Sequence, residues 1–347
     1  MSSKSLAQRP VLEPTLRYLI TGGAGFIGSH LVDALTTRGD SVLVLDDLST
    51  GRRENLEHVV RSDLVEFVEG STLDASLVDT CMSSVDACMH LASAVGVQLV
   101  VQRPLDTLTS NVRGADTVIS AAARHKRWLL FTSTSEVYGK NSQGALEEDS
   151  DRILGSPMKA RWGYAIAKSF GEALVHGYVR ELGARMVVVR LFNTVGPRQS
   201  GAYGMVLPRF VRQALDGEPL TVFGNGTQSR CFVHVLDTVH ALLLLSEHEE
   251  TVGNAYNVGS TLEVPIVELA RRVIERSGCE STVNLVPFDE AYDAGFEELG
   301  RRKPDTSALE RLTGWQPSRT LDETIDDVIA FERSAKANPR GNLRLAG

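Results

Sequence analysis

A chain of 347 residues, 42% hydrophobic and 23% charged, has apolar content enough for one large or two intimately joined domains. Its formal net charge of -8 offers no general attraction to nucleic acid or an anionic membrane, so neither is expected as a partner, and an anionic small substrate would need arginines of its own. Four cysteines (Cys81, Cys88, Cys231, Cys279) are neither CxxC-paired nor clustered with histidine, which points to reduced thiols and no metal site.

The first fifteen residues, "MSSKSLAQRPVLEPT", lack the apolar stretch of a signal peptide. No later apolar run approaches the roughly 20 residues that span a bilayer. A cytoplasmic protein with a loose leader is the expectation. From Leu16, "LRYLITGGAGFIGSHLVDALTTRGDSVLVLDD" runs strand, glycine turn, amphipathic helix, strand. "LVEFVEG" and "DACMHLAS" continue as strands, and "PLDTLTSNVRGADTVISAAARHK" as a long helix from about Pro104 to His125. "RWLLFTSTS" and "ARMVVVRLFNTVG" are further strands. This alternation predicts an α/β fold, a doubly wound parallel sheet covered on both faces.

After Asn193 the texture becomes loop-rich, with "GPRQSGAYG", "DGEPLTVFGNGTQS" and "VPFDEAYDAGFEELGRRKPD" between short helices. Strand and helix character return in "FVHVLDTVHALLLLSEHEETVGNAYNVGS". The division expected is a dinucleotide-binding domain over 16–192, revisited at about 232–260, and a smaller α/β substrate-binding cap over 193–231 and 261–330. Residues 1–15 and 335–347 are expected to be flexible.

Gly22, Gly25 and Gly28 stand between a strand and a helix in "TGGAGFIGSH". Glycines there allow a tight turn, let backbone N–H groups approach a pyrophosphate and bring helix close to strand. Asp46 ends the next strand, near the spacing at which an acid accepts hydrogen bonds from the adenosine ribose, which favours NAD; nearby Arg52 and Arg53 leave NADP open. In "GYAIAKSFGE", Tyr164 and Lys168 are four apart and share a helix face. A phenol is a poor base at neutral pH, but an adjacent ammonium favours its phenolate, so Tyr164 becomes a plausible proton acceptor with Thr134 on the preceding strand end as partner.

Taken together, "TGGAGFIGSH", "HLAS", "STSEVYG", "YAIAK", "RLFNTVGPR", "GNGTQSRCFVHV", "NVGS" and "RRKPD" resemble the extended short-chain dehydrogenase/reductase family, in particular its nucleotide-sugar epimerases and decarboxylases. The likeness runs from Leu16 to about Ala330. It implies a Rossmann domain in which Gly22, Gly25, Phe26 and Ile27 cradle the NAD pyrophosphate and Asp46 holds its ribose. Leu91, Ala92 and Ser93 would line the cofactor channel, with Ser110 or Asn111 nearby. Thr134, Tyr164 and Lys168 would take the catalytic positions, Lys168 also binding the nicotinamide ribose. Asn193, Arg230 and Arg302 would meet a UDP-sugar diphosphate, and Asp305 the uridine ribose. The two long helices would pair with their copies in a homodimer. "FGNGTQSR" reads either as a cap loop near the uracil or diphosphate or as an ordinary tight turn.

Departures bear on the reaction. The usual acid after the third strand is absent from "EGSTLD", where Ser71 and Thr72 stand, and Val95 replaces a lysine that some epimerases carry. Ser135 occupies the position of the dehydratase aspartate, which disfavours 4,6-dehydration. The resemblance implies oxidation at the sugar C4 to a 4-keto intermediate. A uronic acid then either loses CO2 or is turned over and reduced on the opposite face. Glu136 and "FNTVGPR" resemble UDP-glucuronate decarboxylases, whereas "GYAIAKS" resembles epimerases. Ser135, Thr194 and Arg198 are candidate contacts for the sugar carboxylate. The expectation is C4 epimerisation of UDP-glucuronate to UDP-galacturonate. Decarboxylation to a UDP-pentose comes second, then epimerisation of a neutral UDP-hexose; a dinucleotide-sensing module without turnover is the reading from outside enzymology.

Overall fold

A computed structural model describes residues 15–96, 102–201, 204–291 and 300–337. Its central sheet has seven strands: β1 (Arg17–Thr21), β2 (Ser41–Asp46), β3 (Val65–Glu69), β4 (Ala87–His90), β5 (Trp128–Thr134), β6 (Met186–Leu191) and β7 (Ala255–Val258). They lie in the order β7-β6-β5-β4-β1-β2-β3, and every pairing is parallel. The chain belongs to the α/β class expected from the alternation of its elements.

The inner strands are almost continuously buried because helices cover both faces. Neighbouring residues point to opposite faces. Thus Ile20, Val42, Val44, Met89, Leu130, Val187 and Val189 pack on one side, against helices α1 (Phe26–Arg38) and, later in the chain, Val235–Ser246. Leu19, Leu43, Leu45, Cys88, Leu129, Phe131 and Val188 pack on the other, against α2 (Ala75–Ser83), α3 (Pro104–Arg124) and α4 (Arg161–Leu182). A third apolar cluster joins the helices Val206–Asp216, Ile266–Ser277 and Leu321–Ala337. The last of these runs through residues 335–337, which the sequence reading left as a loose end; the expected loose ends at 1–14 and 338–347 lie outside the described residues. No helix among the described residues is long and apolar enough to cross a membrane.

Connections leave β1 and β4 toward opposite edges of the sheet, which opens a crevice at their carboxyl ends. There the Thr21 hydroxyl and His90 Nδ1 are 2.7 Å apart, tying the two strand ends together. Burial, helped by the charge on Lys168, pulls the His90 imidazole down to about 3, so it stays neutral.

Candidate active site

A cavity of about 1350 Å³ opens over that crevice. The loop after β1 forms its floor. Gly22 has φ +73, and a Cβ there would sit 2.7 Å from the Ala92 nitrogen; a Cβ on Gly28 would sit 2.2 Å from the Gly22 oxygen. The close approach of strand, turn and helix therefore requires these glycines, and the N-terminus of α1 faces the cavity as an anion site. This close-packed glycine turn at the N-terminus of α1 fits a dinucleotide pyrophosphate. Gly28→Ala should lower the unfolding free energy by about 1–3 kcal/mol in denaturant titration. It should also abolish the calorimetric heat of NAD binding.

Asp46 lies at the end of β2 and is 7% exposed. Its carboxylate accepts from the Ala24 and Leu48 nitrogens at 2.9 and 2.8 Å, and burial raises its pKa against those bonds. Arg53 is not among the cavity-lining residues: its guanidinium donates to Glu69, the residue opposite Asp46 on β3, at 2.7 Å and lies over the Phe67 ring, 4.7 Å from the centroid. Leu91, Ala92, Ser93, Ser110 and Asn111 line the cavity together with Phe26 and Ile27. Asn111 has a structural task there: Oδ1 accepts from the Ser93 hydroxyl and the Ala94 nitrogen, and Nδ2 donates to the Ala94 oxygen, fixing the loop after β4.

Helix α4 brings Tyr164 and Lys168 to the cavity beside the end of β5. Burial pushes the Tyr164 phenol up to about 12; hydrogen bonds with the Ser93 and Thr134 hydroxyls pull the other way, and the charge of Glu136 adds to the rise. Lys168 Nζ donates to the Thr132 oxygen at 2.9 Å and lies 6.0 Å from the Tyr164 ring centroid. Burial lowers its pKa to about 8, opposed by Glu172, so it remains mostly an ammonium at neutral pH.

Glu136 sits on the 3-10 turn Ser135–Tyr138 and lines the same cavity. It pairs with Arg302 and with Arg161, the latter at 3.3 Å. Burial would raise the Glu136 carboxyl, but Arg302, Arg161 and Arg230 hold it down at about 2. It is ionised at neutral pH. Ser135, Asn193, Thr194 and Arg230 are also on the cavity wall. The Thr194 hydroxyl is 3.1 Å from that of Thr238, Asn193 adopts φ +24 and donates from Nδ2 to the Cys231 oxygen at 3.3 Å, and Arg230 donates to the Ser229 oxygen at 2.8 Å.

Two expected substrate contacts are not among the cavity-lining residues. Arg198 adopts φ +68 and pairs with Asp33 of α1 at 2.8 Å, which directs its charge to the flank of that helix. Asp305 accepts from the Ser307 nitrogen at 2.8 Å, at the start of the helix Ser307–Thr313. Conversely, the sequence reading passed over Arg161 and Arg209, which do line the cavity. Arg161 precedes Tyr164 by three residues, a spacing that places both on one helix face and could have flagged it. Arg209 stacks 4.4 Å over the Phe223 ring, a contact between segments that no local pattern announces.

Comparison with known proteins adds to this geometry. The family described as NAD dependent epimerase/dehydratase matches residues 18–259. A UDP-N-acetyl-alpha-D-glucosaminuronate decarboxylase from Bacillus cytotoxicus is 36% identical over 318 residues, covering 91% of this chain and 98% of that protein. UDP-glucuronic acid decarboxylase 1 of Xenopus tropicalis is 34% identical, over 94% of this chain and 74% of its own. Among solved structures, the UDP-glucuronic acid 4-epimerase from Bacillus cereus in complex with UDP-glucuronic acid and NAD superposes with a TM-score of 0.82 at 26% identity, covering 92% of this chain and 99% of the other. A dTDP-glucose 4,6-dehydratase from Streptomyces venezuelae with NAD bound gives 0.83 at 29%, covering 93% and 98%. With the glycine cradle, the Tyr164–Lys168 pair and the match over most of its length, the chain belongs to the NAD dependent epimerase/dehydratase family.

Proposed function

We propose that the protein is an NAD-dependent decarboxylase of a UDP-hexuronate that gives a UDP-pentose. The observation that carries the reading is the likeness, over nine-tenths of the chain, to proteins named as decarboxylases of UDP-glucuronate and of UDP-N-acetylglucosaminuronate. The ionised Glu136 held by arginines beside Tyr164 supports it. Epimerisation of UDP-glucuronate, the first expectation from the sequence, is not favoured by these relatives.

Gly22, Gly25, Phe26, Ile27 and Asp46 would hold the dinucleotide, with the buried Asp46 carboxylate and the pairing of Arg53 with Glu69 favouring NAD over its phosphorylated form. A bound NAD would supply the acceptor for a hydride from C4 of the sugar and, once reduced, its donor. Burial holds the Tyr164 phenol at about 12, against the sequence expectation that Lys168 alone favours its phenolate. It would take the proton of the 4-hydroxyl only with the added positive charge of a bound nicotinamide ring, while the Ser93 and Thr134 hydroxyls orient its oxygen. The sugar is then a β-keto acid, and breaking its C5–C6 bond releases CO2 while the electron pair moves to the 4-oxygen. Tyr164 and Thr134 are placed to donate hydrogen bonds to that developing enolate. A proton then enters at C5. Glu136, with a pKa of about 2, is the wrong group to deliver it; its part is to fix Arg302 and Arg161 and to keep a second carboxylate from settling beside it.

Five arginines line the cavity wall, Arg103, Arg161, Arg209, Arg230 and Arg302, and give an otherwise acidic protein local positive charge for a diphosphate. Incubation with UDP-glucuronate and with UDP-N-acetylglucosaminuronate, followed by proton NMR, should show a UDP-pentose or its 2-acetamido counterpart. A hexuronate of inverted C4 configuration as product would overturn the assignment.

A further inference from the structure

Behind the cavity wall lies a buried polar cluster that the reaction as drawn does not use. Arg190, next to last in the otherwise apolar run "MVVVRL" on β6, has a side chain only 4% exposed. Its Nε and Nη2 donate to the Glu172 carboxylate at 3.1 and 2.8 Å, while Nη1 donates to the Tyr138 hydroxyl at 2.8 Å and to the Glu148 oxygen at 2.6 Å. Glu172 also accepts from Arg152 and from the Ser133 hydroxyl, and the Tyr138 hydroxyl donates to Asn257 Oδ1 at 2.7 Å. Every member is therefore held by more than one element.

The two ends of this cluster sit on the two halves of the site. Glu172 follows Lys168 by one turn on α4, the helix that also carries Tyr164. Tyr138 follows Glu136 by two residues on the 3-10 turn, and Ser133 adjoins Thr134. A buried ion pair is weak as a source of stability, because apolar side chains of similar volume often do as well. A planar guanidinium gripping a carboxylate with two N–H groups is, however, a stiff spacer.

We propose that Arg190 and Glu172 are positioning residues that set the distance between the Glu136 turn and the Tyr164–Lys168 helix. The inference rests on the decarboxylase reading, in which Glu136 serves the step after hydride transfer. Loosening the spacer displaces Glu136 while Tyr164, Lys168 and the cofactor cradle keep their places, so the two steps respond unequally.

Arg190→Ala leaves Glu172 short of its main partner and is a poor test, since the chain can fail to fold. Tyr138→Phe removes one hydroxyl and keeps the ring, and Arg190→Lys keeps the charge but loses the two-pronged grip. In both variants, single-turnover reduction of bound NAD by UDP-glucuronate or UDP-N-acetylglucosaminuronate should proceed near the wild-type rate. CO2 release should slow about 10- to 100-fold. In the ligand-free protein, hydrogen exchange at the amides of residues 135–138 should quicken. Equal slowing of both steps, or unchanged CO2 release, would overturn the positioning role while leaving the decarboxylase reading in place. Wild-type protein that releases no CO2 from either sugar would overturn the decarboxylase reading and the positioning role with it.

Discussion

Replacing Tyr164 with phenylalanine should cut turnover by about 10²–10⁴-fold, the range that a positioned acid–base group contributes. The substitution deletes one hydroxyl and keeps the ring, so folding and UDP-sugar affinity should be nearly unchanged. The loss should fall on the first step, because Tyr164 combines the hydroxyl partners Ser93 and Thr134 with the nearby Lys168 ammonium. Bound NAD should therefore no longer be reduced when a UDP-hexuronate is added, and CO2 release should fall in parallel. A Tyr164→Phe protein that still reduces its cofactor at the wild-type rate would remove Tyr164 from the proton-accepting role.

Glu136→Gln should separate the two halves of the reaction. The variant removes the anion that Arg302 and Arg161 grip and leaves two buried cations facing the sugar carboxylate. Those cations would then hold the substrate carboxylate instead of letting it depart as neutral CO2, so the second step should slow about 10²-fold. Hydride transfer, which the proposed mechanism assigns to the Tyr164–Lys168 side of the site, should persist. Reduced cofactor should accumulate on the enzyme after substrate is added, seen as nicotinamide absorbance that decays slowly. Because Glu136 has a pKa of about 2 in the folded protein, below the ordinary carboxyl value, the ion pairs it makes are fully present above the ordinary value and are lost only as pH falls through about 2. The wild-type decarboxylation rate should accordingly show no titration of this group near neutral pH, where a catalytic carboxylic acid would produce one.

Where the chain repeats one pattern, its structure was legible. The apolar runs of β1, β2, β5 and β6 and the glycines between β1 and α1 place the parallel sheet and the cradle without any long-range information. The spacing of Tyr164 and Lys168 likewise fixes their common helix face. What escaped is set by contacts between distant segments. Arg198 stands in a motif that suggested a substrate contact, yet its left-handed backbone and Asp33 on α1 direct it elsewhere, and neither is encoded beside it. Arg190, which the sequence analysis does not single out, is a charge inside an apolar strand, and such a charge demands a partner. That partner, Glu172, comes from the preceding helix and could not be read from the strand. The meeting of Glu136 with Arg161 and Arg302 escaped for the same reason: the three come from a turn, a helix and a late loop.

The most direct test follows carbon and stereochemistry together, with UDP-glucuronate and UDP-N-acetylglucosaminuronate labelled with carbon-13 at C6 and incubated with the NAD-loaded protein. Decarboxylation predicts labelled CO2 in a one-to-one ratio with the preferred sugar consumed, and a nucleotide product that carries no label. Retention of the label in a UDP-hexuronate of inverted C4 configuration, with no labelled CO2, would contradict it.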